Sequence, residues 1–457
     1  MGGKLSESIV AANSNLDVFI INSVAIALVK PVEGKPLIIN PPSILISAVS
    51  FILKSETIIY LSITIIIIFL LLLQYGCLLR KTLKRSNNTN VRMVEKIKVA
   101  LVGIGNCFSG LIQGIEYYKQ NPSQEVIGII HDKLRDYTIH DIDFVAGFDV
   151  GENKIGKSLN EAIYEYPNMV DWIPKDSMPK TDAKIYESPA LDGVGIWVEN
   201  RVKPIQSGKK IEELEKEIKD ILKQTGTEII VSYLPVGSEK ATQFWAQVCL
   251  DTNTAFVNCM PAFIASNKEW AQKFTEKNIP VVGDDIKGQV GATIVHRTLA
   301  RLCNDRGTKI EKTYQINVGG NTDFLNMKEQ ERLVSKRISK TESVQSQLDV
   351  PLEDDQIYVG PSDFIPFLAN TKLMFMRIEG RQWANIPYNM EVRLEVDDKA
   401  NSAGIVIDAV RLAKIALDRG LGGPIIPASA YLMKHPIEQM SDPDAKTACE
   451  RFVAGDD

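Results

Sequence analysis

The rhythm of hydrophobic and polar positions changes once along this chain, near residue 90. Before it, Thr57 to Leu79 (TIIYLSITIIIIFLLLLQYGCLL) runs without a charge, and Arg80, Lys81, Lys84 and Arg85 follow directly. A run of that length can cross a bilayer, and the cations after it would hold its C-terminal side in the cytoplasm. It lies too far along, and is too long, for an ordinary signal peptide. After it comes the linker-like Ser86 to Asn90, and then a folded-domain pattern. Two readings of residues 1–92 stand: a membrane anchor, or sequence upstream of a globular part that starts at Met93.

From Lys96 the pattern is α/β. Lys96 to Val102 is a β-branched, apolar stretch that predicts a buried strand. It runs into Gly103-Ile104-Gly105-Asn106-Cys107 and an amphipathic helix from Phe108 to Tyr118. Strand, Gly-x-Gly turn and helix start suit a dinucleotide pyrophosphate: the glycines admit close backbone approach, and the unpaired N–H groups of the first turn bind the anion. The third glycine of the G-x-G-x-x-G pattern is replaced by Phe108, so the turn alone is a weak signal. A second strand, Phe144 to Asp149, ends in an acid suited to an adenosine ribose. A carboxylate there repels a 2′-phosphate and favours NAD over NADP. It comes much later than the usual spacing of about 20 residues, so the segment carrying His131 to His140 is looped out. The bland reading of Asp149 is a cap on the next turn. Further strands at Glu228–Tyr233, Ala255–Asn258 and Pro280–Gly283 alternate with a helix at Glu239–Asp251 and another before Pro280. Such alternation predicts a doubly wound parallel sheet with its ligands at the carboxyl ends of the strands. That edge holds Ser232, Asn258, Asp284 and Asp285.

Composition narrows the function. The chain has 457 residues, 45% hydrophobic and 24% charged, with a net charge of −5. These values suit a globular protein of two or three domains and argue against nucleic-acid binding. The six cysteines form no C-x-x-C pair and the four histidines share no metal-ligand spacing, which points to free thiols in a reducing compartment. Any anionic ligand must then be met by a local group of lysines.

Four longer strings are more specific. They are Gly283-Asp284-Asp285-Ile286-Lys287-Gly288-Gln289, Gly319-Gly320-Asn321-Thr322-Asp323-Phe324-Leu325-Asn326, Ser335-Lys336-Arg337-Ile338-Ser339-Lys340-Thr341 and Asn401-Ser402-Ala403-Gly404. With Ile104-Gly105-Asn106, Ser232 to Gly237 and Ala428 to Pro436 (ASAYLMKHP), they make the chain from about Lys96 to its end resemble myo-inositol-1-phosphate synthases of the archaeal and actinobacterial type. The resemblance says nothing about residues 1–92. It implies a Rossmann-type sheet interrupted by a smaller α+β substrate and tetramerisation domain. The expected divisions are 93–284 for the NAD-binding domain, 285–395 for the inserted domain and 396–457 for the return, with a helix at Ala403–Arg419 stopped by Gly420.

The resemblance also implies a reaction, the NAD-dependent isomerisation of D-glucose 6-phosphate to 1D-myo-inositol 3-phosphate for inositol and phospholipid biosynthesis. C5 is oxidised, a C6 proton is lost, the enolate closes on C1 and the inosose is reduced, with no net redox change. Every step builds negative charge on oxygen, which fixed ammonium groups in a closed site stabilise. Lys336, Lys340, Lys372 and Lys434 match the family's lysines. Lys336 and Lys340 would share a helix face and lower each other's pKa. By resemblance Lys336 shuttles the C5 hydroxyl proton, while Lys340, Lys372 and Lys434 clamp phosphate and oxyanions. Asp285 and Asp398 match acids that orient lysines or hold a cation, whether monovalent or divalent. The cofactor residues so implied are Gly103, Ile104, Gly105, Asn106, Cys107, Asp149, Ser232, Trp245, Gly288, Asn321, Asp323 and Lys336. Three positions depart from the family pattern: Gly288 stands for a serine, Lys399 for a small hydroxyl residue, which adds a cation beside the implied site, and Trp245 for a tyrosine. Without the strings, each lysine would read as a solvated surface group and each aspartate as a helix cap. Two rival functions stay open: another Rossmann oxidoreductase with net hydride transfer, and a membrane-tethered NAD-binding protein without catalysis.

Overall fold

The computed structural model describes residues 95–456. The chain separates into two units between Arg92 and Met93, and the described residues all belong to the second. The apolar run from Thr57 to Leu79 lies outside them. Among the described residues no helix is long and apolar enough to cross a membrane.

The strands in chain order are β1 (Ile97–Val102), β2 (Ile142–Asp149), β3 (Ile185–Glu187), β4 (Ile229–Ser232), β5 (Ala255–Asn258), β6 (Pro280–Val282), β7 (Lys309–Gly319), β8 (Ile357–Phe364), β9 (Thr371–Gln382), β10 (Ile386–Asp397) and β11 (Gly423–Pro424). The helices that position the site are α1 (Asn106–Gln120), α2 (Ile211–Thr225), α3 (Glu239–Thr252), α4 (Lys268–Glu276), α5 (Ala292–Asp305), α6 (Thr322–Asn326), α7 (Val334–Gln345), α8 (Asp398–Asp418), α9 (Ile426–Leu432) and α10 (Asp442–Ala454). Seven strands form one parallel sheet in the order β11-β6-β5-β4-β1-β2-β3. A separate sheet runs β10-β9-β7-β8, with β7 and β8 parallel and the other pairs antiparallel. The chain leaves the first sheet after β6, builds the second, and returns through α8 to β11.

Alternation along β1 explains why the first sheet is covered on both faces. Ile97, Val99 and Leu101 pack with α1 and α8, whereas Ala100 and Val102 pack with α2, α3 and α4. A parallel sheet buried this way needs apolar residues at successive positions. Helix α8 is unusual in being buried all round, from Gly404 to Ala416. A side chain at Gly404 would meet the Gly128 carbonyl oxygen, so glycine permits that close approach. Within α8, the buried Arg411 pairs with Asp408 and donates to the carbonyl of Asp132 at 2.9 Å and that of Tyr137 at 3.3 Å. The looped-out segment carrying His131 to His140 is therefore held against α8. This helix starts five residues before the expected Ala403, because Asp397 accepts from the backbone N–H groups of Lys399 and Ala400 and caps it.

The second sheet packs one face on α5 and α7 through Ala300, Val344, Val359, Met374, Met376 and Ile378. Tyr314, Tyr358 and Phe375 are exposed on its strands.

Candidate active site

Two adjoining cavities open at the carboxyl ends of the parallel strands. The first is lined by Gly103, Gly105, Asn106, Asp149, Lys154, Ser188, Thr322, Asp323 and Asn326, among others. Gly103 has a φ of +85°, and a Cβ there would lie 2.6 Å from the Tyr233 carbonyl oxygen, so the turn requires glycine. No side chain caps α1 at Gly105, which leaves its first N–H groups facing a would-be anion.

Asp149 is present at the end of β2 but is already engaged. Its Oδ2 accepts from Ile104 N–H at 2.8 Å, its Oδ1 accepts from Gly151 N–H at 2.7 Å, and Lys154 Nζ lies 3.6 Å away. These bonds fix the turn, while Asp149 also lines the cavity. Ile104 contributes no side chain to the cavity; it is a core residue. Ser232 is fully buried at the end of β4, and its Oγ has no partner among the described residues. Ser232 lines neither cavity, so the structure does not bring it to the surface of the site. Asn321 is turned to the backbone, where it caps α6 by accepting from Asp323 and Phe324.

Trp245 corrects an expectation. It is fully buried on the core side of α3, 4.9 Å from the Phe148 ring, and lines neither cavity. Its burial makes it a packing residue. Trp245→Phe is expected to cost about 1–3 kcal/mol of stability in urea unfolding while NAD affinity stays within about twofold. A selective loss of NAD binding at unchanged stability would restore Trp245 to the cofactor site.

The second cavity holds the lysines. It is lined by Lys336 and Lys340 from α7, Lys372 from β9, Lys434 after α9, and by Cys107, Asp285, Lys287, Gly288, Asp323, Asp398 and Lys399. Asp285, buried at the end of the β6 loop, accepts at Oδ1 from Lys336 at 2.8 Å and Lys434 at 2.9 Å, and at Oδ2 from Ser339 at 2.6 Å. Burial alone would raise its pKa, but the two ammonium groups and these hydrogen bonds hold it well below the carboxylate range. Asp398 accepts from Lys372 at 3.0 Å and is likewise held low against burial by Lys372 and Lys399. Neither acid is a helix N-cap. Lys434 is pushed down to about 8, mainly by burial, with Lys336 and Lys372 adding to the shift and Asp285 opposing it.

Lys340 differs from the other three. It is buried, and among the described residues it has no ion-pair or hydrogen-bond partner. Burial and then the charges of Lys372, Lys336 and Lys434 drive its pKa far below the usual lysine value. The empty site therefore disfavours the charged form of this amine, which stands among other cations. An arriving dianion would supply its missing counterion.

The two cavities meet at Asp323, which lines both. Gly288 borders the second cavity against Asn401, where a Cβ would come within 2.9–3.1 Å of the amide atoms. Among the described residues no three His, Cys, Asp or Glu side chains are grouped to hold a metal ion.

The profile of the myo-inositol-1-phosphate synthase family matches residues 291–399. An inositol-3-phosphate synthase of Mycolicibacterium smegmatis is 46% identical over 365 residues, covering 79% of this chain and 98% of that protein. Another, from Corynebacterium glutamicum, is 48% identical over 366 residues, covering 78% of this chain and 98% of that protein. The chain belongs to the myo-inositol-1-phosphate synthase family. A solved structure, the myo-inositol-1-phosphate synthase-related protein of Thermotoga maritima, shares the fold at a TM-score of 0.65 and 24% identity, covering 79% of this chain and 99% of that one.

Within this family member, two cavity residues escaped the sequence reading as site members. Lys287 is buried and donates to the Ala430 carbonyl at 2.8 Å, and burial and Arg297 lower its pKa to about 7 against the opposing pull of Asp442. Lys154 faces Asp149, as described above. Lys399, expected as an added cation beside the site, lines the second cavity. Lys287 alone had a usable signal, its place inside the Gly283–Gln289 string.

Proposed function

We propose that this chain converts D-glucose 6-phosphate into 1D-myo-inositol 3-phosphate, using NAD in the first cavity and the lysine group in the second. The observation that carries this reading is that Lys336, Lys340, Lys372 and Lys434, drawn from three separate stretches of chain, face one cavity adjoining a glycine-turn helix start. The residues of the first cavity fit NAD: the N-terminus of α1 is open to a pyrophosphate beside Gly103 and Gly105. The chemistry NAD supplies when bound is reversible hydride acceptance, with the hydride returned after ring closure.

The chain's own residues do the rest. Lys340, without a carboxylate of its own, takes the phosphate dianion and a proton with it. Asp285 fixes the amines of Lys336 and Lys434 side by side, and Lys434 exchanges its proton near neutral pH. Lys372, set against Asp398 and 5.9 Å from the Phe324 ring, completes the positive wall that meets developing oxyanions. Asp285 and Asp398 both spend their oxygens on lysines, so we read them as orienting groups in preference to cation ligands. Asp323 lines both cavities and marks their junction, where the nicotinamide end belongs, while Cys107 and Gly288 line the second. We place the activity in the cytoplasm, in keeping with the free thiols at Cys107, Cys249, Cys259, Cys303 and Cys449. The exposed Tyr314, Tyr358 and Phe375 on the second sheet support a homotetramer built through that sheet.

The test is direct. Incubating the full chain with glucose 6-phosphate and NAD⁺ should give an inositol phosphate by phosphorus NMR while no NADH accumulates. NADH accumulating in step with sugar consumed would establish a net dehydrogenase. Dinucleotide binding without turnover would establish a non-catalytic NAD-binding protein.

A further inference from the structure

Lys399 is the second residue of α8, where the helix dipole disfavours a cation, yet its side chain is 1% exposed. Its ammonium lies 2.6 Å from Asp323 Oδ2, 3.6 Å from Cys107 Sγ and 3.9 Å from Asp398 Oδ2. Asp398 is committed to Lys372 at the shorter 3.0 Å, and burial pushes the Cys107 thiol up to about 11, so that it stays neutral. The partner of Lys399 is therefore Asp323. Its own pKa is raised despite burial, chiefly by Asp323, so it remains charged.

This ion pair sits in the wall between the two cavities. Asp323 lines both, and Cys107 follows Gly105 and Asn106 of the dinucleotide turn. Hydride can pass only where the cofactor ring reaches the sugar, which is at that junction. The ring carries a positive charge when oxidised and none when reduced. An unpaired Asp323 beside it would favour the oxidised ring; a paired one is electrically almost silent. One turnover of the proposed reaction uses the same dinucleotide in both states, so a strong bias toward either would stall one half of it.

We infer that Lys399 is a positioning residue which, by neutralising and fixing Asp323, balances the affinity of the site for oxidised and reduced dinucleotide. The inference rests on the first cavity being the NAD seat. Asp323 is 46% exposed, so Lys399→Met leaves a hydrated carboxylate and the fold survives. Titrating the full chain with NAD⁺ and with NADH should show Lys399→Met shifting the ratio of the two dissociation constants on the order of tenfold toward NAD⁺. Asp323→Asn, which leaves the buried ammonium uncompensated, should shift it in the opposite direction. Lys399→Arg, which keeps the charge, should stay within about twofold of the unsubstituted protein. A mere packing role would move both affinities together. If Lys399→Met binds both forms and leaves the ratio unchanged, or if Lys399→Met and Asp323→Asn shift it the same way, the inference is wrong. If the unsubstituted protein binds neither form, the assignment of the cavity fails, and this inference with it.

Discussion

Lys340→Met is expected to lower kcat/KM for glucose 6-phosphate by about 10²–10³-fold while making the ligand-free protein more stable. Both effects have the same cause. Lys340 is buried among Lys336, Lys372 and Lys434 with no partner of its own, so its charged form is expensive in the empty site. Methionine of similar volume removes that cost, and replacing buried ionisable groups by apolar ones commonly gains about 1–4 kcal/mol. The folded pKa lies below the unfolded value of about 10.4, so the unfolded chain binds the extra proton. The penalty is therefore fully present below the folded pKa and fades as pH rises toward the unfolded one. The stability gain of Lys340→Met should accordingly be largest in mild acid and small by pH 10. Loss of a charged contact to the phosphate accounts for the activity, since one partner missing from such a pair costs about 3–5 kcal/mol. Calorimetry in buffers of different ionisation enthalpy gives an independent readout. The unsubstituted protein should take up a proton when it binds the sugar phosphate at neutral pH, and the variant should not. Unchanged turnover together with unchanged proton uptake would remove Lys340 from the phosphate seat.

How far the sequence announces this architecture depends on which forces act locally. The continuous β-branched, apolar run of β1 and the glycines after it mark strand, turn and helix start because the constraint lies in the residues themselves. Ala255–Asn258 is found at its observed limits for the same reason. Lys336 and Lys340 fall on one face of α7 as their spacing requires. What stays hidden is burial decided by distant partners. Lys399 reads as a cation beside the site, but nothing local marks it as buried until Asp323, 76 residues earlier, closes on it. Arg411 likewise looks like a surface residue on a helix that turns out to be buried all round. Trp245 shows the reverse failure. An aromatic on the helix after a nucleotide-binding strand carries no local mark that separates a packing role from a ligand contact.

Asp285→Asn is the substitution expected to do most damage to the site as a whole. The residue has a φ of +62°, a left-handed conformation that asparagine tolerates, so the backbone should persist. The counterion disappears, however, and with it the anchor of Lys336, Lys434 and Ser339. Leaving buried ammonium groups uncompensated costs about 3–5 kcal/mol, which urea unfolding at pH 7 would register. The carboxyl is held below its unfolded value of about 3.9, so its contribution is present above that pH and is lost as the pH falls through the folded value. At the alkaline end the deficit should also shrink, because Lys434, already near 8, sheds its proton and no longer needs an anion. The destabilisation should thus be greatest near neutrality and smaller toward pH 10. Turnover should fall by about 10²-fold or more, since displacing a reacting group by an ångström has that effect. Inorganic phosphate should raise the melting temperature of Asp285→Asn more than that of the unsubstituted protein, because it restores negative charge among the freed lysines. A variant that melts within about 1 °C of the unsubstituted protein, turns over normally and gains nothing from phosphate would show that Asp285 is not what holds these lysines in place.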